Sequence, residues 1–106
     1  MQNGLEKMNL HPLINKDSAH YDTEGKTAIE LLEEQLTVKE MIGFCKGNIF
    51  KYEYRAEHKG QKESDFKKIQ TYKDYLDLLE GAYEMSPVVT SVTKAFDRLE
   101  IKFRYR

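Results

Sequence analysis

Tryptophan is absent from this chain, cysteine occurs once and proline twice in 106 residues. With Cys45 alone, no internal disulfide can form and no cysteine framework for zinc exists, so a reduced, intracellular compartment is expected. Long apolar runs are missing as well. Nothing approaches the roughly 18 consecutive apolar residues of a membrane span, and the N-terminus MQNGLEKMNLHPL lacks the apolar segment of a signal peptide. Nor does one sign of charge dominate: 17 Lys and Arg stand against 18 Asp and Glu, for a net charge of −1. The field of the whole molecule therefore does not attract nucleic acid, and any anion must be bound by a local cluster. No internal repeat or low-complexity tract is visible.

What is present fits one soluble globular domain with a modest core, 40% of residues being hydrophobic and 33% charged. Residues 1–24 read as an N-terminal arm, with loop signals, Pro12 and room for one helical turn. Residues 25–80 read as a helical core. A first helix is predicted from about Thr27 to Leu36, with Ala28, Ile29, Leu32 and Leu36 on one face. The spacing Thr37–Glu40 is that of a capping box and opens a second helix reaching about His58 and stopping at Gly60. A third starts near Glu63 or Ser64 and runs to about Glu80, with Phe66, Ile69, Tyr72, Leu76 and Leu79 stepping by three and four.

Residues 81–106 form an extension packed on the core. A fourth helix is predicted from about Ser91, with Val92, Phe96 and Leu99 on one face, although the β-branched run before it weakens helix. The closing IKFRYR alternates strictly, a strand pattern with an apolar edge open to another strand. The fold expected is mainly α, a small bundle of three core helices and a C-terminal helix, with a short C-terminal strand.

The second helix carries an unusual stripe. At about 100° per residue, Asn48, Lys51, Arg55 and Lys59 share one sector. One flank holds Ile42, Cys45, Ile49, Tyr52 and Ala56; the other holds Gly47, Phe50 and Tyr54, and both are expected to be buried. Asn48, Lys51 and Arg55 are thus expected to line a partly buried polar concavity beside the third helix. Charges placed there need partners. They can be ordinary interhelical ion pairs, Arg55–Asp65 or Lys51–Glu30. Alternatively the cations exceed the inward carboxylates and bind an anion, arginine gripping phosphate by paired bonds and lysine adding a point charge, with Tyr52 or Tyr72 stacking on a base.

Other features carry less. HYDTEGKT, from His20, ends like a phosphate-binding loop, but His20 occupies the position of the first glycine and no strand precedes it. Glu30, Glu33 and Glu34 resemble the metal-binding carboxylates of helical nucleotide pyrophosphohydrolases, without the Glu-x-x-Asp on a later helix that those enzymes need. Glu33 and Glu34 therefore read as a solvated face. Cys45 reads as a small buried residue, and His58 as a favourable charge near a helix C-terminus.

HYDTEGKTAIE, GFCKGNIFKYEYRAEHKG and DFKKIQTYKDYL together resemble a family of small bacteriophage proteins named for a domain of unknown function (DUF3310, SaV-like). Its members include a phage nucleotide kinase of the T7 type. The resemblance covers about residues 19–79 and is most specific at Gly47, Asn48, Lys51, Tyr52, Arg55, Ala56, Lys59 and Gly60. It implies a phage origin, the host bacterial cytoplasm and, in at least one branch, phosphate transfer to a deoxynucleoside monophosphate. By the same resemblance Lys51, Arg55 and Lys59 map to the basic motif, and His20, Tyr21, Asp65 and Lys68 to the remaining polar positions. The expected roles are catalytic for Lys51 and Arg55, and nucleotide-binding for His20, Tyr21, Asn48, Tyr52, Lys59, Asp65 and Lys68. No dedicated metal site is expected, Mg²⁺ arriving with the nucleotide. The partners expected are a nucleotide and further copies of the chain; a non-enzymatic protein that modulates a host or phage protein is the alternative.

Overall fold

The computed structural model describes residues 9–14, 23–58, 62–85 and 90–104. In chain order these form β1 (Asn9–Leu10), α1 (Ala28–Gln35), α2 (Val38–His58), α3 (Lys62–Met85), α4 (Val92–Arg98) and β2 (Phe103–Arg104). The architecture is mainly helical, as the apolar periodicity indicates.

Capping chemistry sets the helix starts. Thr27 closes a capping box with Glu30 at the entrance to α1, and Thr37 does the same with Glu40 at the entrance to α2. The chain enters α1 through Gly25, whose φ of +82° a side chain would resist. Ser91 accepts from the Lys94 amide and caps α4.

The long α2 and α3 pack on one another and form the body of the fold. Their inner faces and α4 share one core: Val38, Met41 and Cys45 from α2, Tyr75, Leu79 and Ala82 from α3, and Val92, Ala95 and Phe96 from α4. Residues after 80 therefore belong to that core. The link between α1 and α2 holds α4 in place, Val92 N–H donating to the Leu36 carbonyl at 2.9 Å beside a Thr37–Ser91 bridge.

Three sequence expectations need correction. First, α3 does not stop before Gly81 but continues to Met85, because Ala82 extends the buried Tyr75–Leu79 stripe and its packing outweighs the helix-weakening glycine. Second, Phe66 is 56% exposed, standing over a cleft beside the small Ala56 instead of in the core. Third, the C-terminal strand spans two residues and pairs in parallel with β1 of its own chain, Asn9 opposite Phe103 and Leu10 opposite Arg104. In the described part of the arm, residues 9–14 and 23–24, β1 is followed by a turn at residues 12–13, and a second turn stands at residues 23–24.

The exit from α4 explains how β2 reaches the arm. Ile101 N–H donates to the Phe96 carbonyl at 2.9 Å and Glu100 N–H to that of Asp97 at 3.1 Å, with Glu100 left-handed at φ 57°. This is a Schellman turn with glutamate where glycine is usual. It folds the chain back so that Phe103 packs on Phe96 and His11.

Candidate functional site

The basic stripe of α2 meets α3 around one aromatic ring. Tyr52 stacks on Tyr72 of α3, with centroids 6.0 Å apart and planes 24° apart. Three cationic groups surround Tyr52: Lys51 Nζ at 4.6 Å, Lys68 Nζ at 5.2 Å and the Arg55 guanidinium at 5.9 Å from its centroid. Lys51 and Arg55 come from α2, and Lys68 reaches the same ring from α3. Burial pushes the Tyr72 hydroxyl up in pKa, and the neighbouring Tyr52 adds to the shift.

Of the two ion pairs considered, Arg55–Asp65 forms. Its Nε–Oδ1 distance is 3.8 Å, with Asp65 buried and nearly half of the Arg55 side chain exposed. The other Asp65 oxygen, Oδ2, is buried and has no hydrogen-bond partner among the described residues. Glu30 instead serves the α1 cap, where its Oε1 accepts from Thr27. Among the described residues Asp65 is the one carboxylate paired with this cluster, so positive charge is in excess there.

The expected concavity is not how these groups are arranged. Lys51, Arg55 and Lys68 are exposed, and the Asn48 amide donates to the Phe44 carbonyl of its own helix at 2.9 Å. The second flank is not buried either: Phe50 is 69% and Tyr54 55% exposed. A helix beside one partner buries one face, and among the described residues no element covers the far side of α2. The cations therefore form an open platform at the α2–α3 seam. His20, Tyr21 and Lys59 lie outside the described residues.

A second polar centre was not foreseen. Glu33 is buried, contrary to the solvated face expected of it. Its Oε2 accepts from the Tyr75 hydroxyl at 2.5 Å and pairs with His11 Nε2 at 2.7 Å. Because His11 Nδ1 accepts from the Leu13 amide at 3.1 Å, the proton sits on Nε2, which donates to the carboxylate. Burial, then the charge and hydrogen bond of Glu33, push the Tyr75 pKa strongly upward. One signal was available: Glu33 lies on the Ile29–Leu32–Leu36 stripe, the face of α1 turned inward. This node joins the arm, α1 and α3, and lies between two clefts of about 370 and 440 Å³ that Glu33 and His11 respectively line. No three His, Cys, Asp or Glu side chains among the described residues are grouped to hold a metal ion.

Residues 15–74 match a protein family described as a protein of unknown function (DUF3310). The chain belongs to the DUF3310 family. The matched span holds the whole cation platform, Asp65 and Glu33, whereas α4 and β2 lie beyond it. No curated protein and no solved structure matches. Among the described residues, no helix is long and apolar enough to cross a membrane.

Proposed function

We propose that this DUF3310 protein binds the phosphate groups of a nucleotide on the α2–α3 platform, with Lys51, Arg55 and Lys68 as anion ligands and Tyr52 as the surface they share. The observation that carries the reading is the convergence of three cations from two helices on one ring, with Asp65 their one paired carboxylate among the described residues. Clustered like charges repel unless an anion joins them, and phosphate offers oxygens to several donors at once.

The chemical extension is transfer of a phosphoryl group from a nucleoside triphosphate to a deoxynucleoside monophosphate, in a bacteriophage protein acting in its host's cytoplasm. An acceptor phosphate oxygen attacks the γ-phosphorus, the bond to the bridging oxygen of the donor breaks, and a diphosphate is left on each nucleotide. Such transfer needs positioning and charge neutralisation more than a protein nucleophile. Lys51 and Arg55 supply the neutralisation, and Mg²⁺ enters with the donor.

A nucleotide panel read by thermal shift tests binding. Stabilisation by mono- or triphosphates, reduced in Lys51→Ala, Arg55→Ala and Lys68→Ala, is expected. Diphosphate formation is then assayed with wild type and variants purified alike. Equal turnover in all of them means a contaminating kinase. Neither stabilisation nor turnover would favour the second reading, a non-enzymatic protein that binds a host or phage protein, for which the exposed Phe66 and Met85 speak.

A further inference from the structure

The outer face of α2 repeats at helix-packing intervals. Gly43, Gly47, Phe50 and Tyr54 are spaced four, three and four residues apart and fall within a sector of about 60°. All four are exposed. A methyl group placed on either glycine would touch nothing within 4 Å. Two glycines inside a helix weaken it relative to alanine, and nothing among the described residues makes use of the space they leave. Two large aromatic rings stand exposed beside that space.

We propose that this face is the contact between two copies of the chain, joined by a two-fold axis crossing α2 between residues 48 and 49 with the two helices antiparallel. In that register Gly47 faces the partner's Phe50, and Gly43 faces the partner's Tyr54. The two-fold repeats both contacts, so each ring meets a glycine and each glycine a ring. A two-fold interface demands such self-complementarity, and this spacing supplies it. The four positions are the a and d sites of a heptad seam.

Charge points to the same occupant. Lys46 and Glu53, both exposed, flank the seam on one side. Antiparallel pairing sets that flank against itself, so Lys46 meets the partner's Glu53 and Glu53 meets the partner's Lys46. A parallel pair would not join these two residues. One layer further out, Glu40 would face the partner's Glu57, so the seam ends there. The contact is short, and the dimer is expected to dissociate on dilution. Lys51 of the cation platform borders the opposite flank of the seam, and Arg55 lies further round. Mass measured without nucleotide keeps a failure of the dimer distinct from a failure of nucleotide binding.

The test is mass in solution by light scattering or sedimentation, on the full chain. Wild type is expected to rise from 12.5 kDa towards twice that value with concentration. Gly47→Leu should hold the mass at the monomer value while keeping or raising the melting temperature, which separates a blocked interface from a failed fold. Lys46→Glu alone and Glu53→Lys alone should each be monomeric. An equimolar mixture of these two variants should recover the dimer, because every cross pair is then opposite in charge. A wild type that stays monomeric, a mass unmoved by Gly47→Leu, or single-charge variants that fail to recover on mixing would each overturn the proposal.

Discussion

The Tyr75 hydroxyl lies 2.5 Å from Glu33 Oε2, linking α3 to α1 through a carboxylate that also holds His11. Removing the hydroxyl leaves the buried carboxylate one donor short. Tyr75→Phe should lower stability by about 1–3 kcal/mol, read as a lower urea midpoint. A double-mutant cycle with Glu33→Ala should show a coupling of about 0.5–3 kcal/mol. Additive losses would mean that the two side chains do not act together.

Alkaline pH should destabilise the fold in a defined order. Burial raises the Cys45 thiol from 9.0 to about 12, and Tyr75 is raised above its ordinary value of 10.0. Both groups are neutral when protonated, so the unfolded chain releases their protons first. The stability they contribute is fully present below pH 9.0, and the Cys45 share is lost as pH rises towards about 12. Each group steepens the fall by up to about 1.4 kcal/mol per pH unit within its window. Urea midpoints between pH 8 and 11 should fall, and Cys45→Ala should flatten the earliest part of the decline.

Glu100 occupies the left-handed turn after α4 with φ 57°. A left-handed conformation costs a residue with a Cβ about 1 kcal/mol more than glycine. Glu100→Gly should therefore raise stability, tempered by glycine's greater freedom in the unfolded chain. A lowered melting temperature would show that the glutamate side chain earns its place by a contact.

Arg55 separates stability from binding. Its pair with Asp65 is long at 3.8 Å and open to water on the arginine side, but Asp65 is buried. Arg55→Ala therefore leaves that carboxylate without its cation and should cost about 1–3 kcal/mol of stability. Nucleotide affinity should fall about tenfold or more, the worth of one charge-assisted bond. Isothermal titration beside urea unfolding checks both. A loss of several kcal/mol with unchanged affinity would make Arg55 a structural partner of Asp65 and nothing else.

Sequence alone determined the features governed by local rules. The Thr37–Glu40 box opens α2 because a side-chain oxygen and a glutamate three residues on satisfy free amides wherever that spacing occurs. Apolar periodicity located α1, α3 and α4, since a helix must bury one face. The common sector of Lys51 and Arg55 followed from helix geometry, and so did the inward position of Asp65. Tertiary structure decided what depends on which faces find a neighbour. Phe50 and Tyr54 share the hydrophobic character of Ile49 and Cys45, yet they stay exposed because α3 covers one side of α2. Glu33 and Glu34 are chemically identical neighbours, but α1 turns only Glu33 towards His11 and Tyr75. Lys68 joins Lys51 and Arg55 at the Tyr52 ring only when α3 lies against α2. Charge and polarity are properties of a residue, whereas burial is a property of the pair of surfaces that meet.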